Sequence, residues 1–128
     1  MAKKLFIPGP SEVGPKMLGV LATPQIGHRS GEFQELYARV MGRLRDFLAT
    51  GNHAYLATCS ATGVMEGAIR NLVKKRCLNL TCGAFSERWH QMTQANGKAA
   101  DAQAVEWGEP NSPAALDEAL SSGEYDVV

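Results

Sequence analysis

Between Phe33 and Leu48, apolar residues recur every three or four positions: Phe33, Leu36, Tyr37, Val40, Met41, Leu44, Phe47 and Leu48. That period lays one apolar face along a long helix. Ser30 is placed to cap it, Glu32 falls in the first turn where an acid suits the helix dipole, and Gly51-Asn52 is the expected stop. Arg39, Arg43 and Arg45 lie off the stripe. Upstream, a short apolar piece at 4–7 is cut off by Pro8-Gly9-Pro10, and Pro15 suits the first turn of a short helix through about Leu21. Residues 22–31, "ATPQIGHRSG", read as loop.

Beyond residue 52 the pattern changes. "HAYLAT" reads as a strand and leads into the small-residue turn Ser60-Ala61-Thr62-Gly63. A second amphipathic helix then carries Val64, Met65, Ala68, Ile69 and Leu72 on one face, closed by Lys74, Lys75 and Arg76, where cations favour a helix C-terminus. "CLNLTC" is the next strand, Gly83 introduces the helix "AFSERWHQMTQAN" up to Gly97, and "AADAQAVEW" is a third strand. Ser112-Pro113, a cap followed by proline at the first helical position, opens "PAALDEALSSG". The chain stops on "YDVV", which reads as the start of a fourth strand, so more sheet is expected than the chain holds. Strands alternating with helices at this spacing predict an α/β fold with a largely parallel sheet.

At 128 residues the length fits one domain. With 20% charged residues and a formal net charge of zero, composition makes no electrostatic case for nucleic acid or an anionic membrane. No apolar run approaches the roughly 20 residues that span a bilayer. The apolar run before Pro8 is too short for a secretory signal, which makes a cytosolic location the expectation. Cys59, Cys77 and Cys82 form no C-x-x-C pair, so neither a zinc site nor a disulfide framework follows, and buried free thiols are expected. Cys77 and Cys82 lie five apart on a strand pattern and should face opposite ways. Asn79-Leu80-Thr81 matches a glycosylation acceptor but sits inside an apolar strand, and is discounted.

Four places carry candidate chemistry. In an open α/β sheet, ligands bind at the carboxyl ends of strands, where helix N-termini collect. The Ser60–Gly63 turn exposes backbone amides there, and Ser60 and Thr62 add hydroxyls; a phosphate suits such a place, and so does a plain helix start. No G-x-x-x-x-G-K or G-x-G-x-x-G motif decides between them. Phe85 starts the next helix, where a ring could stack on a flat ligand. Trp89 and Met92 share its face and read as core. Gly9, between two prolines, makes a rigid bend that can approach a ligand or merely reverse the chain. His28 and Arg29 could clamp a carboxylate or stand as solvated surface. His53 and His90 have no visible partner and read as structural or surface residues.

Taken in order, "FIPGPSEVGPKML", "GHRSGEF", "SATGVMEGAI" and "GAFSERW" resemble the N-terminal part of class V pyridoxal-phosphate aminotransferases, nearest to the serine–pyruvate and alanine–glyoxylate types. The resemblance runs from about Leu5 through Trp107 and less distinctly to the end. It implies an incomplete fold-type-I large domain, about the first third of the family fold, with residues 1–30 as an N-terminal arm and substrate-side loop and 31–128 as the start of the cofactor-binding domain. It implies pyridoxal 5'-phosphate as cofactor, held at its phosphate by Ser60, Ala61 and Thr62 and stacked by Phe85. Relatives often carry glycine where Ala61 stands and tryptophan where Phe85 stands. Gly9 is implied beside the substrate. His28 and Arg29 are implied in substrate-anion contacts across a homodimer interface, by analogy with phosphoserine aminotransferases.

In such enzymes a Schiff-base lysine, an aspartate on the pyridine nitrogen and a carboxylate-binding arginine all lie further along. The lysines here, Lys3, Lys4, Lys16, Lys74, Lys75 and Lys98, stand outside that lysine's context, and Asp126 precedes the cofactor aspartate. The implied function is transamination between an amino acid and a 2-oxo acid by a longer parent enzyme, with this chain supplying the phosphate cup and ring wall. Two alternatives stand beside it: a non-catalytic module for a phosphate-bearing ligand, and an interaction protein that pairs with a second chain.

Overall fold

A computed structural model describes residues 4–128; Lys3 and the first residues of the expected arm lie outside the described residues. The chain packs as two compact units, one ending at Tyr55 and one starting at Leu56. Among the described residues no helix is long and apolar enough to cross a membrane.

The first unit holds α1 (Pro15–Leu21) and α2 (Gly31–Phe47). Pro15 occupies the first turn of α1, where its fixed φ is already helical and its lack of an N–H costs nothing. Ser30 caps α2 as expected: its Oγ accepts from the Phe33 amide at 3.2 Å. The rings of Phe33 and Tyr37 stack one turn apart along the apolar stripe, at 6.3 Å between centroids, and Met41 is its buried residue.

Helix α2 ends four residues before the expected Gly51-Asn52. Ala49 adopts a left-handed φ of 49°. The Thr50 amide then reaches back to the Arg45 carbonyl and the Ala49 amide to Asp46, both at 3.1 Å. These paired bonds close the helix as a Schellman turn, a place usually taken by glycine.

The second unit is built on β1 (Arg76–Thr81) and β2 (Ala99–Ala104), parallel and joined by α4 (Ala84–Ala95). Helix α3 (Ala61–Leu72) precedes β1, and α5 (Pro113–Ser121) follows β2, capped by Ser112. Cys77 pairs with Ala100 of β2 on one side and forms a parallel bridge with Val127 on the other. The "YDVV" segment therefore begins a third ladder, and β1 is central. Ile69, Val73 and Cys77 form the core, with Trp89, Met92 and Val127 packed against them. Thr93 is fully buried and satisfies its hydroxyl on the Trp89 carbonyl at 2.8 Å.

Three expectations are corrected. Residues 53–58 form no strand: the alternation is present, but this stretch has no ladder partner among the described residues, and Tyr55 and Leu56 are exposed. Only Cys77 is a buried thiol; Cys59 lies in the turn before α3 and Cys82 just past the end of β1, and both are exposed. Lys74, Lys75 and Arg76 do not close α3. The helix ends at Leu72, Val73 is extended, and the backbone amides of the three basic residues turn instead onto the carboxylate of Asp126.

Candidate functional site

The carboxyl edge of β1 is where this fold collects chemistry. Helix α4 starts there, one short turn after Thr81. Helix α3 leads into β1 through the link at 73–75 and packs against α4.

The two helix starts differ. At α4, Ser86 Oγ accepts from the amides of Cys82 and Gly83 at 2.9 and 3.1 Å and donates to the Gly83 carbonyl at 2.8 Å. That end is closed by its own side chain. At α3, Ser60 is extended (φ −68°, ψ 161°) in the capping position, yet its side chain makes no capping bond. The Gly63 amide turns to the Ser60 carbonyl at 2.9 Å, which leaves the amides of Ala61 and Thr62 without an intrahelical acceptor. Two free amides, two hydroxyls and the positive end of a helix dipole form a donor set suited to a phosphate.

Close packing shapes this turn. A Cβ on Gly63 would stand 3.0 Å from Cys59 Sγ and 3.2 Å from its Cβ. Gly63→Val should therefore push the Cys59 side of the turn away and destabilise the unit by about 1 kcal/mol, the low end of overpacking costs because Cys59 is exposed and can yield. Urea denaturation followed by circular dichroism measures this; an unchanged midpoint would show that the contact imposes nothing.

Phe85, in the first turn of α4, is 74% exposed and, unlike Trp89 and Met92, does not pack against the core. The Arg88 guanidinium lies over its ring, 5.6 Å from the centroid. One ring face thus carries a cation, and the other is available to a flat ligand. Nearby, Trp107 Nε1 donates to Glu87 Oε1 at 2.9 Å and ties the loop after β2 to α4.

The remaining sequence-marked residues belong to the first unit. Gly9 precedes a cis peptide bond to Pro10, and nothing lies within 4 Å of where its Cβ would be. His28 and Arg29 sit in a turn closed by Ser30, whose amide and hydroxyl both bond the Gly27 carbonyl at 2.9 and 2.8 Å; both side chains are exposed. Of the other histidines, His90 does have a partner: its Nδ1 lies 3.3 Å from Asn79 Oδ1.

A second polar cluster, which sequence reasoning missed, lies at the opposite edge. Arg76 Nη1 bonds both carboxylate oxygens of Asp101 at 2.8 and 3.1 Å, and the Tyr125 hydroxyl donates to Asp101 at 2.8 Å. The Arg76 hydrogen bond, then that of Tyr125, holds the Asp101 carboxyl below the ordinary carboxylate value. Beside it, desolvation acts to raise the Asp126 carboxyl, but the amides of Lys75, Lys74 and Arg76 together outweigh it, and the group also lies below its usual value. Burial pushes the Cys77 thiol up. Among the described residues no group of three or more His, Cys, Asp or Glu stands placed to hold a metal ion.

No family model matches the chain. An uncharacterized aminotransferase of Methanocaldococcus jannaschii is 36% identical over 128 residues, covering 98% of this chain and 33% of that protein. A protein named as the small subunit of a soluble hydrogenase in Synechococcus is 33% identical over 111 residues, covering 85% of this chain and 29% of that one. Among solved structures, an alanine–glyoxylate aminotransferase from Nostoc superposes with a TM-score of 0.79 at 26% identity, over 95% of this chain and 35% of that one. The chain spans about a third of the length of the proteins it matches.

Proposed function

We propose, from the premise that this chain is a segment of the aminotransferase family, that it provides the phosphate cup and ring wall for pyridoxal 5'-phosphate in a longer class V enzyme. The observation that carries the proposal is the start of α3, uncapped by any side chain and with two amides free, beside the self-closed start of α4. Ser60, Ala61 and Thr62 would hold the phosphate, and Phe85 would lie against the pyridine ring on the face that Arg88 leaves free. The Ala61 methyl narrows the approach without blocking it, because the residue is exposed. When bound, the cofactor supplies an electron sink for bond changes at the α-carbon of an amino acid.

The activity proposed for the longer protein is amino-group exchange between an amino acid and a 2-oxo acid, of the alanine–glyoxylate or serine–pyruvate kind. Gly9, His28 and Arg29 are assigned to the substrate side, the last two across a homodimer interface, with residues 1–30 as the arm and 31–128 as the start of the cofactor domain. A cytosolic setting fits the same reading. None of the chain's lysines is assigned the covalent bond to the cofactor. The hydrogenase name belongs to one relative and is not carried over to this chain.

Equilibrium dialysis of the 128-residue chain against pyridoxal phosphate tests the cup. Binding should be displaced by inorganic phosphate, and Ser60→Ala with Thr62→Ala should weaken it about a hundredfold, corresponding to two lost hydrogen bonds to a charged group at the weaker end of their range. Equal binding by the double variant would remove Ser60 and Thr62 from the phosphate site.

A further inference from the structure

The loop that follows β2 returns to the start of α4 at three points. The Val105 amide donates to the Thr81 carbonyl at 2.9 Å, and the Gly108 amide to that of Cys82 at 3.2 Å. Gly108 makes its contact with a φ of +90°, a conformation glycine enters freely. Between them, Trp107 Nε1 donates to Glu87 Oε1 at 2.9 Å, an indole N–H on a carboxylate. The Trp107 ring is 68% exposed, so this bond rather than burial fixes where it lies. The first turn of α4 gains from such ties. Its leading amides have no intrahelical acceptor, and Phe85, the ring it presents, does not pack against the core. Ser86 closes the backbone from within, whereas Glu87 is held from outside the helix. At about 100° per residue, Glu87 lies on the far side of the helix axis from Phe85. Trp107 therefore grips the turn from behind and leaves the free face of the Phe85 ring clear.

We propose that Glu87 and Trp107 form a brace that fixes the first turn of α4 and thereby positions the Phe85 ring for a flat ligand. Both are positioning residues and act through Phe85. The consequence for pyridoxal phosphate rests on the ring wall assigned above to Phe85. An exposed ring on a loose helix start has to be ordered when a ligand arrives, and that ordering lowers affinity; a ring already held in place avoids the loss. The phosphate is assigned to the start of α3, which the brace does not touch. Ligands with and without an aromatic ring should therefore respond differently to its removal.

Amide hydrogen exchange on the ligand-free 128-residue chain reads the brace, and equilibrium dialysis reads its effect on the ring. Trp107→Phe keeps an aromatic side chain and removes the N–H. It should speed exchange about fivefold at the Gly108 amide and at the Glu87 amide, which bonds the Gly83 carbonyl, with the β1–β2 ladder unchanged. Glu87→Gln retains an acceptor oxygen and should stay within about twofold of the parent, while Glu87→Ala should match Trp107→Phe. In dialysis, Trp107→Phe should weaken pyridoxal phosphate about fivefold and leave inorganic phosphate unchanged. Phe85→Ala should weaken pyridoxal phosphate about tenfold, and adding Trp107→Phe to it should cost nothing more. Unchanged exchange in Trp107→Phe overturns the brace, whether or not the cofactor binds. Faster exchange with pyridoxal phosphate affinity unchanged, or with the same loss repeated in the Phe85→Ala background, makes Trp107 structural only and overturns the positioning role. Pyridoxal phosphate bound by the parent no more tightly than inorganic phosphate overturns the ring wall and the positioning role with it, while exchange still decides the brace.

Discussion

Ile69→Ala is expected to lower the unfolding free energy of the unit from Leu56 onward by about 2–5 kcal/mol, the cost of truncating a buried aliphatic side chain and leaving a cavity. Ile69 is 3% exposed and shares its core with Val73 and Cys77, walled by Trp89, Met92 and Val127. Few residues share the burden. Against a total stability of the usual order, about 5–15 kcal/mol, that is a large fraction to lose at one side chain. Leu72 lies three residues further along α3 and is 59% exposed. Leu72→Ala should therefore stay within about 0.5 kcal/mol. Urea denaturation followed by circular dichroism separates the two, and similar midpoints for both variants would contradict this assignment of the core.

Acid should open the same unit through two carboxylates at once. Asp101 and Asp126 both have folded pKa values below the ordinary 3.8, so the unfolded chain takes up their protons first. Their contribution is complete above that value and is lost as pH falls through the lower folded values. Stability should hold level from pH 7 to about 5 and then fall steeply toward pH 2. Asp101→Asn combined with Asp126→Asn should start less stable at pH 7 and show a much shallower acid limb. Tyr125 acts at the other end: the Asp101 carboxylate raises its pKa above 10.0, so its donated bond is present below that value and lost as pH rises through the folded one. Thermal melting across pH 2 to 8 measures the acid limb, and parallel curves for parent and double variant would contradict it.

Much of this architecture is legible in the chain because local rules and tertiary packing agree. The Ser30 and Ser112 caps, the Pro15 and Pro113 starts, the period of α2, and the stop of α4 at Gly97 all rest on interactions within a few residues, and all appear. What escaped is long-range. Alternation at 53–58 gives strand propensity without a ladder partner, and propensity alone does not make a strand. The early end of α2 at Phe47 depends on a left-handed turn at Ala49 that its residue type does not announce. The trio Lys74–Arg76 looks like a helix end by charge, yet its amides were claimed by an aspartate some fifty positions away. The same holds for Arg76, Asp101 and Tyr125, which meet only when β1, β2 and the segment 122–128 come together. At the proposed site, the residue types at Ser60, Thr62 and Phe85 were visible in the sequence. That Ser86 closes one helix start while the other stays open was not.

The most direct test of the cofactor assignment is a pyridoxal phosphate titration of the 128-residue chain followed by borohydride reduction and lysine mapping by mass spectrometry. The account predicts binding that inorganic phosphate displaces, with no site-specific adduct at any one lysine. A stoichiometric adduct on a single lysine, abolished by replacing that residue, would contradict it and give the chain a catalytic lysine of its own.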